Sequence, residues 1–184
     1  ILLTMTEDAI ETFVTQNNIP LEKAIHFSGA LKTNKAQQLH PLMTFTTELY
    51  THHEYKKIPF VSTYGTLSLE ELIPELNNPF YQIQKEDVEL YHALCVLSGN
   101  GTILLWQNIF KDFENRLGIP KKALLPYLQR VLTNLLSAPE GALTGPWMRS
   151  DQSTIEKNKF ALRDDEYLPL YEGFHDLFKA RSPK

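Results

Sequence analysis

From Asp87 to Leu117 the chain reads as one uninterrupted helix, about 45 Å long at about 1.5 Å of rise per residue, and no strand signal follows it. A chain built this way cannot be a single sheet-based layer, because its second half must pack helix on helix. The centre of that helix, Tyr91 to Trp106 (YHALCVLSGNGTILLW), is an apolar run carrying His92, Ser98, Asn100, Gly99 and Gly101. In a buried helix each polar group needs a partner or costs roughly 1–3 kcal/mol. A helix-interior glycine costs about 1 kcal/mol relative to alanine. The pattern therefore predicts a buried helix with a polar notch that walls a binding site or admits another helix close to its backbone. Gly118 and Pro120 end it.

Before Asp87 strand and helix signals alternate. Ile1–Thr4, Lys23–Phe27, His40–Phe45, Ile58–Thr63 and Phe80–Ile83 read as extended segments, with helices through Ile10, Phe13 and Val14 and over Ser68–Leu76. This predicts an α/β layer with a largely parallel sheet, followed by an all-α helical domain, with residues 1–85 and 86–184 as the two parts. Beyond the long helix, Leu124, Leu128, Val131 and Leu135 form one stripe. Pro126 is expected to bend that helix or delay its start. Ser150 or Asp151 caps a helix through Ile155 and Phe160, with Ser153 and Glu156 as a candidate capping box. Tyr167, Leu170, Tyr171, Phe174 and Phe178 mark the last helix.

Composition removes several functions. Eighteen basic against 22 acidic residues leave a net charge of −4, which gives no electrostatic reason to expect nucleic acid or an anionic membrane. The stretch from Ala93 to Trp106 reads as too short and too polar for a bilayer span of about 20 residues. Cys95 is the single cysteine, so no internal disulfide can form and a reducing, cytoplasmic setting is expected. One cysteine and scattered histidines give no metal-ligand spacing. No glycine-rich phosphate fingerprint, nucleophile elbow or paired-cysteine motif occurs. A chain that opens on Ile-Leu-Leu-Thr resembles the interior of a sheet, which implies an N-terminal truncation and an exposed strand edge.

Five segments carry the candidate chemistry. Ala24–Leu31 (AIHFSGAL) places Ser28, Gly29 and Ala30 after a buried strand, where open α/β sheets hold ligands; a plain strand-to-loop exit explains it as well. Thr4 to Asp8 has the same logic, and also that of a helix cap. His40, aimed by Pro41, reads either as a ligand donor or as a structural histidine. In the long helix His92 and Asn100 fall close to one face, and imidazole is the side chain suited to proton transfer near neutrality, so His92 reads as an acid/base or as a buried bridging histidine. Leu143–Asp151 (LTGPWMRSD) joins two helices and is not explained by packing periodicity. Arg149 there can grip a carboxylate or phosphate, pair with Asp151 or cap a helix.

Taken in order, HFSGAL, HPLMTF, LYHALCVLSGN and ALTGPWMRSD resemble a group of bacterial Rossmann-like proteins across the whole chain. These join an NAD(P)-binding fold to a C-terminal helical domain of unknown function. In layout they are similar to pyrroline-5-carboxylate reductases, β-hydroxyacid and 6-phosphogluconate dehydrogenases, and deazaflavin-dependent NADP reductases. The resemblance implies an oxidoreductase that moves a hydride between NADP or NAD and a small carbonyl, imine or hydroxy compound. It implies that a first βαβ unit, which binds most of the cofactor, precedes Ile1, so that this chain alone binds NADPH poorly. It places Thr4, Thr6, Ser28 and Gly29 beside the cofactor, and His40, Thr144 and Arg149 on the substrate side. His92, Asn100 and Ser98 become the catalytic candidates. The residue four before Asn100 is Val96, where the hydroxyacid dehydrogenases carry a lysine, so their mechanism does not transfer. The segment from Lys32 to Leu39 is short for a strand-helix connection. The expected partners are a small-molecule substrate and a second copy of the chain, joined through the helical domain, without nucleic acid or membrane. The rival reading is a non-catalytic metabolite-binding or dimerisation module.

Overall fold

The first strand, β1 (Leu2–Leu3), leads into α1 (Glu7–Gln16) and returns through β2 (Ile25–His26), with which it pairs in parallel. A parallel return requires such a crossover helix. Ile10 and Val14, one turn apart on α1, pack with Leu3, Ala24 and Ala36 into one core. Alternation along the strand sends the next residue, Ile25, to the opposite face. There it meets Leu39 and Leu69 in a second core bordered by Phe27, Phe60 and Phe80. The sheet is thus covered on both faces, as parallel strands require.

A third strand, β3 (Gln37–Gln38), extends the parallel order β1-β2-β3, with Ile25 opposite Gln37 and His26 opposite Gln38. The sequence gives no sign of it, because glutamine pairs lack β-propensity. After Leu39 the chain enters a second sheet. Here β4 (His40–Pro41) runs antiparallel to β5 (Phe60–Thr63), and β5 runs parallel to β6 (Phe80–Ile83). The expected extended segments His40–Phe45 and Lys23–Phe27 are therefore much shorter. A short helix, α2 (His52–Tyr55), precedes β5, and α3 (Leu69–Leu72) is shorter than expected. Both are held by reciprocal capping boxes, Thr51 with Glu54 and Ser68 with Glu71.

The structure is a computed structural model describing residues 1–181, in two compact units, Ile1–Ile109 and the chain from Phe110 onward. The long helix enters as α4 (Val88–Val96), widens into a π-helical turn at Leu97–Gly101, and continues as α5 (Thr102–Leu117). Its expected burial is not observed: Val88 is the only buried residue along it, while Leu90, Leu94, Leu97, Ile103 and Leu104 are exposed. The two glycines do not mark a close backbone approach either. A Cβ added at Gly99 would meet nothing within 4 Å, and one at Gly101 only Leu97 and Val96 of the same helix. The segment Lys85–Leu117 also contains an 18-residue window of mean hydropathy 1.2 that is 6% buried. By length and composition alone this longer segment is able to cross a membrane; the run Ala93–Trp106, read above as too short for a span, is only its central part.

The second unit contains α6 (Leu125–Ser137), α7 (Gln152–Ala161) and α8 (Tyr167–Arg181). At the end of α5, Gly118 takes φ +69°, and the Ile119 amide donates to the Phe113 carbonyl at 2.8 Å. That bond closes the helix end over the left-handed glycine and spans one residue more than the six-to-one bond of a Schellman cap. Pro126 lies in the first turn of α6, where no backbone donor is needed. Asp151 caps α7 by accepting from the Thr154 amide at 3.1 Å and its hydroxyl at 2.7 Å. This settles the choice between Ser150 and Asp151 and replaces the expected Ser153–Glu156 box. Arg116 reaches Asp165 at 2.6 Å and Asp112 at 3.3 Å, tying α5 to the turn before α8. The stretch LTGPWMRSD has a packing explanation after all. Trp147 stacks on His175 and Phe178, meets Tyr171 edge-on, and donates from Nε1 to the Tyr171 hydroxyl at 3.1 Å.

Candidate functional site

The site begins where β2 ends. Ser28 folds the chain back on itself: its hydroxyl oxygen accepts from the amides of Ala30 at 3.1 Å and Leu31 at 3.0 Å, and its proton goes to the Glu7 carboxylate. The hydroxyl is therefore spent on shaping the loop and fastening it to the first turn of α1. That loop presents Gly29, which is buried between two imidazoles. A Cβ at Gly29 would lie 2.9 Å from His40 Nε2 and 2.9 Å from His92 Cδ2. Glycine is required here by close approach and not by backbone angle.

His40 opens β4 and His92 lies on α4, so two elements bring the rings to one place. His40 Nδ1 shares a hydrogen bond of 2.7 Å with the Tyr91 hydroxyl, and the two rings meet edge to face, 5.5 Å apart. With Nδ1 occupied, Nε2 is the ring atom left on the Gly29 side. Burial holds the His40 pKa below its ordinary value, and the neighbouring His92 lowers it further. Burial raises that of the Tyr91 hydroxyl, with Cys95 adding to the effect. The pair is therefore neutral near pH 7, able to donate or accept one hydrogen bond without bringing charge into the site.

Around the two histidines lies a cleft of about 460 Å³, lined among others by Met43, Thr44, Cys95, Ser98 and Asn100. This size suits a small metabolite. Asn100 stands exposed within the π-helical turn, a distortion that recurs at functional sites. The Ser98 hydroxyl donates back to the Leu94 carbonyl at 2.8 Å, which leaves it only as an acceptor toward the cleft.

Of the residues singled out in the sequence, His40, His92, Ser98 and Asn100 share this cleft, and Gly29 abuts its two imidazoles. Thr4 and Thr6 do not line it: both are exposed between β1 and α1, and Thr6 precedes α1 without a side-chain cap bond. Thr144 and Arg149 belong to the second unit, where Arg149 is exposed and its charge helps hold the Asp151 carboxyl below the usual range. Sequence reasoning missed Tyr91, which fixes His40, although its position beside His92 was a usable signal. It also missed Met43, Thr44 and Cys95. Among the described residues no group of three or more His, Cys, Asp or Glu side chains is placed to hold a metal ion.

The chain thus forms a partial Rossmann-like α/β layer followed by helices. Residues 62–176 match the model of a domain of unknown function, DUF2520, and the chain belongs to that family. Among solved structures, a Bacteroides fragilis protein provisionally described as an NADP oxidoreductase superposes with a TM-score of 0.73. It shares 21% identity, over 98% of this chain and 74% of that one. Protein TM1727 of Thermotoga maritima gives a TM-score of 0.64 and 23% identity over 85% of this chain and 67% of its own. No curated protein matches the sequence. At these identities the likeness establishes the fold: a partial Rossmann-like α/β layer followed by helices, of the kind seen in NADP oxidoreductase-like structures.

Proposed function

We propose that this chain forms the substrate-facing part of a cytoplasmic oxidoreductase that uses NADP or NAD on a small carbonyl, imine or hydroxy compound. The observation that carries the reading is the convergence of His40 and His92 on Gly29, at the carboxyl end of a parallel strand, where open α/β sheets bind their ligands. The residues fit the nicotinamide end of a dinucleotide: Thr4 and Thr6 follow β1, and Ser28 and Gly29 follow β2. They supply no glycine-rich turn for its pyrophosphate. The bound cofactor supplies hydride chemistry. The chain's own part is to orient the substrate and hold a proton. In this reading His92 donates or accepts that proton, His40 fixes the substrate oxygen or nitrogen through Nε2, Asn100 orients it from the rim, and Ser98 accepts one hydrogen bond. Thr144 and Arg149 enter only as substrate-side groups carried by the helical unit.

The test is nicotinamide oxidation by the full gene product across a panel of small imines and carbonyls. His92→Ala is expected to lower kcat/KM by about 10²-fold, the ordinary worth of a positioned acid/base group. Gly29→Ala, which forces a methyl against both rings, is expected to lose at least about tenfold while the protein remains folded. Turnover unaffected by His92→Ala would refute the assignment, as would a lack of nicotinamide binding.

A second reading, a dimerising module, has its own support. Leu124 and Leu128 of the stripe are covered, the second in part, but Leu125, Val131, Leu132 and Leu135 are exposed, and Leu136 is 83% so. Each such side chain is worth roughly 1.5–3 kcal/mol when removed from water. We propose a homodimer through the helical region. Sedimentation velocity should show a dimer that Leu132→Glu converts to monomer; a monomeric parent chain would exclude it.

A further inference from the structure

A different cavity, of about 340 Å³, is walled by β3, by the loop after β2, by the turn after β5 and by Lys85 ahead of α4. It shares no lining residue with the cleft that holds His40 and His92. Two of its wall residues, His26 and Gln38, face each other across the β2–β3 pairing and are 1% and 5% exposed. Each keeps a buried polar atom without a hydrogen-bond partner: Nδ1 of His26 and Oε1 of Gln38. The Gln38 amide nitrogen already donates to the Ser28 carbonyl at 3.1 Å, so its orientation is set and the oxygen is what remains. Buried polar atoms left unpaired are rare and call for an explanation. At the same cavity stand two cations. Lys32 pairs with Glu89, whereas Lys85 is bonded to the Asn34 side-chain oxygen and is ion-paired with none of the described carboxylates.

We propose that this cavity is a second binding site, for a small organic anion that also bears a hydroxyl group. The hydroxyl donates to Gln38 Oε1 and meets His26 Nδ1, and the anionic end, a phosphate or carboxylate, lies against Lys85 and Lys32. One neutral acceptor and one imidazole nitrogen, both dry, read a hydroxyl more selectively than they read charge, because a ligand without it leaves them unpaired. The volume lies at the lower end of the range for small-molecule sites and excludes a nucleotide-sized occupant.

The probe is glycerol 3-phosphate, titrated into the 184-residue chain carrying isotope-labelled histidine, with inorganic phosphate and glycerol as separate arms. Saturable movement of the His26 ring signals, with those of His40 and His92 unmoved, is the expected result. Lys85→Ala should weaken binding by about tenfold or more, the usual worth of a hydrogen bond to a charged group. Gln38→Leu should bring glycerol 3-phosphate down to the level of inorganic phosphate, and His92→Ala should change nothing. Three results would overturn the proposal: no saturation by about 10 mM, equal binding of phosphate and glycerol 3-phosphate, or binding indifferent to Lys85→Ala. The first would mean that the cavity holds only water, the second that no hydroxyl is read there, and the third that the anion does not lie against Lys85. Because the readout is at His26, its failure leaves the oxidoreductase reading untouched.

Discussion

Trp147→Ala is expected to destabilise the helical unit by about 3 kcal/mol, toward the lower end of the cost of deleting a core aromatic because the ring is only part-buried. The size follows from how little else holds that unit together. Leu124, Ile155 and His175 are its only buried side chains among the described residues, and Trp147 stacks on the last of these while also touching Tyr171 and Phe178. Trp147→Phe keeps most of the stacking and loses the hydrogen bond to Tyr171, so it should cost only about 1 kcal/mol. Urea unfolding followed by circular dichroism measures both. Equal midpoints for wild type and Trp147→Ala would show that this aromatic cluster does not organise the unit.

Acid should unfold the N-terminal unit earlier than its carboxylates alone would dictate. Burial lowers the His26 pKa from 6.5 to about 4; Glu7 opposes the shift and His40 adds to it. The unfolded chain therefore takes up a proton at this position near pH 6.5, while the folded chain resists until about pH 4. Stability is fully present above pH 6.5 and falls as the pH drops through this window, by on the order of 3 kcal/mol from this one ring. His40, lowered in the same direction, adds to the loss. The exposed carboxylates of this unit held low by their caps, Glu54 and Glu71, lose their contribution only further down. Denaturation midpoints measured across this range should show the slope, and His26→Gln should flatten it. A His26 ring that titrates near 6.5 in the folded protein would remove the basis for the expectation.

How much of this was legible in the sequence depends on what each segment had to offer. Phe80–Ile83 was read at its observed bounds because Phe80, Tyr81 and Ile83 favour strands and Asn77-Asn78-Pro79 breaks the chain before them. The strand Gln37–Gln38 was invisible: what holds it is the backbone ladder to Ile25 and His26, which no side-chain preference announces. The long helix was correctly found and wrongly buried. Hydrophobicity shows that a face wants cover, not that this chain supplies it. The candidate site was legible one residue at a time, since His40, His92 and Asn100 each stood out locally. The meeting of His40 and His92 at Gly29 was not, because a contact across two elements leaves no mark on spacing. The unpaired atoms of His26 and Gln38 are likewise a property of the pairing between strands.

The widened turn at Leu97–Gly101 has one more effect. A residue accommodated inside a helix resets its rotational phase by about 100° for everything downstream. The azimuth at which Ile103, Leu104 and Trp106 stand on α5 is therefore decided at five residues beside the cleft. A change of one residue in the length of that turn would re-aim the helix without altering a single contact at His40.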